Sequence, residues 1–222
     1  ENVLIENGKD KTGNIMSLEN FDYVYENYKG KMDICTGDGG FDFSVDFKHQ
    51  EQNISSLLFG QIAYALVMQK YHGSFILKIF DCFSYHTIDL LALLSCCYEK
   101  VYITKPQTSR YANSERYIVC KNFSVKHNEQ LYNVLRKQME IILQNGEKQI
   151  VRYLDYNYSS YFINKMEECN AIFGQQQIEN IYTTLNMIIE KTQNNDELIQ
   201  YNVQKCVMWC SKYNVLYNQM FV

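Results

Sequence analysis

VYITKPQTSRYANSERYIVCKNF, residues 101–123, decides how this chain is read. Its two arms, 101–104 and 117–119, are apolar, β-branched and aromatic, and read as strands. Between them lies a polar connection that holds the chain's single proline, Pro106, with Ser109, Arg110, Asn113, Ser114 and Glu115. The connection is too long for a two-residue hairpin. Glu115 stands where this loop meets the second strand, so its carboxylate can be held by the sheet while facing a ligand. The plain alternative is a solvated loop between two edge strands.

Just upstream, residues 74–80 read SFILKIF, nearly all apolar, as expected of a strand buried on both faces. Lys78 interrupts it. A buried ammonium is costly unless it is paired or placed at the open end of the sheet. A snorkelling side chain is the plain reading; we read Lys78 as a site lysine near the carboxyl end of its strand. Further upstream, a short strand at 32–36 runs straight into Gly37-Asp38-Gly39-Gly40. Glycines flanking an acid allow sharp backbone angles and a close ligand approach. Such a turn at the end of a parallel strand suits a catalytic or cofactor-binding acid, Asp38, although Gly-Asp pairs also occur in ordinary turns.

Helical periodicity links these strands. Residues 50–71 carry Ile54, Leu57, Leu58, Ala65 and Met68 at helical spacing, with Gln61 as a polar interruption and His72-Gly73 as the stop. A second helix is expected at 88–98. The order strand, helix, strand, helix, strand, strand means an α/β fold with a mostly parallel sheet and an antiparallel last strand. Before it, 2–5 is a possible strand. A helix over 18–28 puts Leu18, Phe21, Tyr25 and Tyr28 on one face, with Ser17 as a weak cap and Gly30 as the stop. The segment 41–49, with Asp42, Asp46 and His49, reads as irregular.

After Ser124 the pattern turns helical: 129–145, ended by Gly146, then 148–168 and 175–192, then a last helix capped by Asn194-Asn195-Asp196 and running past Trp209. No strand signal or catalytic motif appears there. We expect residues 1–124 to form the α/β domain and 125–222 a helical appendage.

Composition sets outer bounds. The 222 residues are 46% hydrophobic and 21% charged, values of a packed globular chain. A net charge of −4 excludes a strongly basic nucleic-acid footprint over the whole chain, while Lys105, Arg110, Arg116 and Lys121 leave room for a local basic face. The eight cysteines include no two-residue-spaced pair, and most stand among apolar residues. They read as reduced thiols in an intracellular, cytoplasmic setting. Cys206 and Cys210 share a helix face without a second ligand pair nearby, so no metal is expected. No apolar run reaches the roughly 18 residues needed to cross a bilayer.

The Asp of DICTGDGG, the Lys of GSFILKIF and the Glu of KPQTSRYANSERYIVCKNF together carry a resemblance. They look like the last three members of the Lys-Asp-Lys-Glu tetrad of FtsJ-like ribose 2′-O-methyltransferases. The similarity extends to the cap-methyltransferase-like proteins of large nucleocytoplasmic DNA viruses and covers about residues 8–123. It implies a Rossmann-like sheet, S-adenosylmethionine as methyl donor, and RNA, capped mRNA above all, as substrate. It also implies Asp38, Lys78 and Glu115 as catalytic residues. Asn14, in KTGNI, falls where the family often has an Asp near the cofactor's adenine; Asn14, Asp38 and Gly39 are the expected cofactor contacts. Lys105, Arg110 and Ser114 are the expected RNA contacts. The family's first lysine and glycine-rich loop lie upstream of the aspartate motif, and nothing before Asp38 supplies them. The chain is therefore expected to be the C-terminal portion of a longer enzyme, with part of the sheet missing. A catalytically silent RNA-binding or scaffold protein, using the helices to hold a protein partner, is the rival expectation.

Overall fold

The computed structural model describes residues 3–40, 51, 54–126, 128–145, 152–189 and 196–218. Residues 41–50, the Gly146 stop, the stretches 148–151 and 190–192, and Asn194-Asn195 lie outside the described residues. The elements in order are α1 (Leu18–Tyr28), β1 (Met32–Gly37), α2 (Ser55–Met68), β2 (Gln69–Ile79), α3 (Tyr85–Cys97), β3 (Tyr98–Thr104), β4 (Arg116–Phe123), α4 (Glu129–Asn145), α5 (Ser160–Ile189) and α6 (Asp196–Tyr213). By internal packing the chain divides into Glu1–Gln177 and Ile178–Val222, the division falling inside α5.

In the first unit the sheet has the order β1-β2-β4-β3. β1 and β2 are parallel, and β4 runs antiparallel to both of its neighbours. The last strand thus does not extend the edge. It inserts between β2 and β3, next to the strand that carries Lys78. The expectation of a mostly parallel sheet with one reversed strand is met.

One face of the sheet carries the core. Cys35, Phe75, Leu77, Ile79, Ile118, Cys120 and Phe123 pack there against Phe21, Phe59, Leu66, Leu90, Leu94, Leu135 and Met139 of the helices. The alternate residues Thr36, Ile76 and Tyr102 are exposed on the other face. β2 is therefore buried on one face only, which corrects the expectation of burial on both. Lys78 shares this other face with Ser74 and Ile76, where its side chain is still largely covered and its ammonium is paired with Asp38.

Local signals explain most boundaries. Ser17 accepts from the Asn20 amide and starts α1, and Gly30, at φ +64°, follows its end. α3 begins earlier than the expected residue 88 because Ser84 caps it. The Glu51 carboxylate reinforces that cap, accepting from the Ser84 amide, the Ser84 hydroxyl and the Thr87 hydroxyl. α2 ends at Met68, short of the expected 71, because the buried Gln69 is drawn into the sheet. Its amide donates to the Met32 and Asp33 carbonyls and accepts from Tyr98. β2 is correspondingly longer, with a register shift opposite 32–34. There His72 has φ +66° and a β-carbon on Gly73 would meet the Asp33 carbonyl at 2.8 Å. Val3, Leu4 and Ile5 are exposed and unpaired, not a strand.

The helices beyond residue 124 also depart from expectation. Residues 152–159 are not helical, and α5 runs unbroken from 160 through 174, where a gap was expected. α4 joins the first unit through Leu135, Met139 and Ile142 and through a two-bond pair from Arg136 to Asp22. The fully buried Asp89 accepts from Arg152 and from the Tyr153 and Leu154 amides, tying the segment before α5 to α3. In the second unit, α6 buries none of its side chains. No described helix is long and apolar enough to cross a membrane.

Candidate active site

Topology gathers the sequence-flagged residues at one rim. Asp38 directly follows β1, and Lys78 is the last residue but one of the parallel β2. Glu115 directly precedes the antiparallel β4. All three stand at the same end of the sheet, outside the carboxyl ends of the parallel strands, where open α/β sheets take ligands.

Lys78 Nζ forms an ion pair with Asp38 Oδ1; the Lys78 side chain keeps 18% of its accessible surface and Asp38 keeps 73%. The ammonium also lies 5.9 Å from the centre of the Phe80 ring. Across the β2–β4 pairing, Lys78 stands opposite Tyr117. The Tyr117 hydroxyl donates to Glu115 Oε1 at 3.2 Å, and the Ser109 hydroxyl donates to the same oxygen at 3.0 Å. Burial, the charge and hydrogen bond of Glu115, and the charge of Asp38 all raise the Tyr117 phenol above its ordinary value. Tyr117 is thus the group on which both acids act, beside the lysine. In the sequence Tyr117 reads only as a strand residue. The available signal was its spacing, since residues i and i+2 of a strand share a face and Glu115 is two positions before it.

The Asp38 turn is held from behind by Gln61 of α2. Its Oε1 accepts from the Gly39 amide at 2.7 Å. A β-carbon on Gly37 would meet Leu77 Cδ1 at 2.8 Å and Gln61 Oε1 at 3.0 Å, so only glycine allows helix, strand and turn to meet so closely. The polar interruption seen in the helical stripe is this anchor.

The loop of residues 105–115 is tied to itself. Lys105 Nζ donates to the Asn113 carbonyl and side chain at 2.9 Å each and to the Glu115 carbonyl at 2.7 Å. Burial draws the Lys105 ammonium below its ordinary value, against the pull of Glu115. Burial holds Asp81 above the usual carboxylate value, against the pull of the Arg116 charge. Of the three expected RNA contacts, Arg110 alone is exposed.

The expected cofactor contacts are not brought together. Asn14 borders a cavity of about 370 Å³ with Gly13, Ile15, Asn20 and Tyr64, and neither Asp38 nor Gly39 lines it. The Asn14 carboxamide oxygen accepts from the Met16 amide. The Tyr64 hydroxyl is buried in the same region without a partner. The eight cysteines are free, and burial pushes the Cys82, Cys97 and Cys120 thiols up to about 12, away from reactivity. Among the described residues no cluster of His, Cys, Asp or Glu is arranged to hold a metal.

An α/β sheet with an acid–lysine pair and a second acid at its carboxyl rim defines a Rossmann-like protein with a polar ligand site at the strand ends. Within that class, the FtsJ-like methyltransferase pattern matches residues 3–123, and the chain belongs to this family. It is 32% identical over 209 residues to the cap-specific mRNA (nucleoside-2′-O-)-methyltransferase 2 of Pongo abelii, covering 89% of this chain and 27% of that protein. It is 35% identical over 176 residues to the cap-specific mRNA (nucleoside-2′-O-)-methyltransferase 1 of Bos taurus, covering 73% and 21%. Against the enzyme of the same name from Trypanosoma brucei brucei it is 30% identical over 187 residues, covering 83% and 50%. The chain thus spans about a fifth to a half of the length of these relatives. The family match stops at residue 123, while the compact unit continues to Gln177.

Proposed function

We propose that this chain carries the acceptor side of an S-adenosylmethionine-dependent RNA ribose 2′-O-methyltransferase, with the mRNA cap region as substrate. The observation that carries the reading is the convergence of Asp38, Lys78, Tyr117 and Glu115 at one sheet rim. Family membership and relatives named for cap-specific 2′-O-methylation support it.

When bound, the cofactor supplies an electrophilic methyl on a sulfonium. The groups of this chain then act on the ribose hydroxyl. Lys78, steered by Asp38, contacts the 2′-oxygen and stabilises the negative charge that develops there. Glu115, fixed by Ser109 and Tyr117, takes up the hydroxyl hydrogen bond and orients the oxygen. Arg110, exposed on the loop beside Glu115, meets the RNA backbone, while Lys105 and Ser114 keep that loop in shape. On the cofactor side, the largely exposed Asp38 is the contact this rim offers; Asn14 stands at a cavity by the opposite end of β1, and the Gly39 amide is already taken by Gln61. We assign residues 1–124 to the family domain and residues 125–222 to an added helical region. Exposed Leu185, Ile188, Ile199 and Met208 support a protein partner for that region.

The test is methyl transfer to capped RNA by the intact protein. Activity that disappears in Lys78→Ala and in Glu115→Gln, with folding kept, supports the reading. Full activity in Lys78→Ala sinks it.

A further inference from the structure

We infer that α5, which lies beyond the family match, braces the Glu115 loop, with Asn170 as a positioning residue for methyl transfer. This rests on the function proposed above. Arg116 immediately follows Glu115, yet its side chain turns to the core face and is 1% exposed. Its guanidinium donates to Asn170 Oδ1 at 2.9 Å and lies 4.8 Å from the centre of the Phe173 ring. The Asn170 amide donates in turn to the Cys82 carbonyl at 2.8 Å, three residues beyond the end of β2. One carboxamide therefore joins the ends of the two strands that carry Lys78 and Tyr117. Seven residues further along α5, Gln177 donates to the Ala112 carbonyl, inside the loop itself. Asn170, Phe173 and Gln177 follow the i, i+3, i+7 spacing of one helix face.

A buried guanidinium is tolerated only while its donors are met. Removing the Asn170 acceptor leaves Arg116 to find water or another oxygen, and the flanking Glu115 and Tyr117 shift with it. A displacement of this size at a reacting group is enough to slow chemistry without weakening substrate binding.

The intact protein is assayed as wild type, Asn170→Ala, Asn170→Asp and Gln177→Ala, with Lys165→Ala on the exposed side of the same helix as a control. Asn170→Ala is expected to lower kcat about 10-fold with KM for capped RNA changed less than about twofold. Asn170→Asp keeps an acceptor for Arg116 but gives up the donor to the Cys82 carbonyl, so kcat recovers only in part, to within about threefold of wild type. Gln177→Ala lowers kcat about two- to threefold without loss of fold. The independent readout is the titration of the Tyr117 ring carbon by NMR, assigned with Tyr117→Phe. Its midpoint is expected to fall toward the ordinary tyrosine value in Asn170→Ala and to hold in Asn170→Asp. A loss confined to KM for RNA overturns the inference. So does a kcat loss that only tracks the unfolded fraction by circular dichroism while the Tyr117 midpoint stays put. If wild type transfers no methyl group, the function proposed above fails, and the Tyr117 titration alone decides whether α5 braces the loop.

Discussion

Tyr117 stands directly across the β2–β4 ladder from Lys78 and donates its hydroxyl to Glu115, so a phenol lies between the lysine and the second acid. The side-chain proximity that the proposed methyl transfer needs is set here by the pairing of two strands, not by loop flexibility.

Lys78→Ala removes the ammonium opposite Tyr117. A positioned acid–base or charge-stabilising group contributes about 10²- to 10⁴-fold, so kcat for methyl transfer should fall at least about 100-fold. Because Lys78 lies on the open face and contributes nothing to the core, thermal unfolding should move by only a few degrees. A melting curve beside the rate assay checks both statements.

The phenol of Tyr117 is raised by burial, then by the charge and hydrogen bond of Glu115. Glu115→Gln deletes that charge, so the Tyr117 midpoint should move down toward about 10. NMR titration of the labelled ring reads the shift. An unmoved midpoint would mean that Glu115 does not act on Tyr117 in solution.

Gln61→Leu keeps the volume of the side chain and deletes the acceptor for the Gly39 amide. The stability loss should be about 1 kcal/mol, the usual net worth of such a bond. Activity should fall further, by about 5- to 20-fold, since the Asp38 turn loses its anchor. Denaturant unfolding compared with initial rates separates the two effects.

Stability should depend on acid through Asp89. Burial alone would raise this carboxyl, but hydrogen bonds from Arg152, Tyr158, Leu154 and Tyr153 outweigh it and hold the group below its usual value. A folded-state value below the unfolded one stabilises the fold above the unfolded value, near about 4, and that stability is lost as pH falls through the folded value. Asp89→Asn should cost about 2–4 kcal/mol near neutral pH, since it removes the charge that pairs with Arg152 and turns one of two accepting oxygens into a donor facing other donors. It should also flatten the fall of the melting temperature below about pH 4. Melting curves of both proteins between pH 3 and pH 7 decide this.

Periodicity and punctuation along the chain were enough for the element types, because those signals act within a few residues. Ser17 and Gly30 bound α1, the apolar, β-branched and aromatic arms 101–104 and 117–119 mark β3 and β4, and the apolar stripe of 129–145 marks α4. Asp38, Lys78 and Glu115 were legible as candidates, from flanking glycines, from a charge in an apolar strand and from the junction of loop and strand; the structure adds that they stand at one sheet rim. Long-range pairing was not legible. That β4 enters between β2 and β3, that Tyr117 faces Lys78, that Gln61 holds the Asp38 turn and that Asn170 meets Arg116 depend on contacts between residues 13 to 54 positions apart. Strand order and side-chain partnership follow from how whole faces bury one another, and no stretch of sequence contains both halves of such a contact.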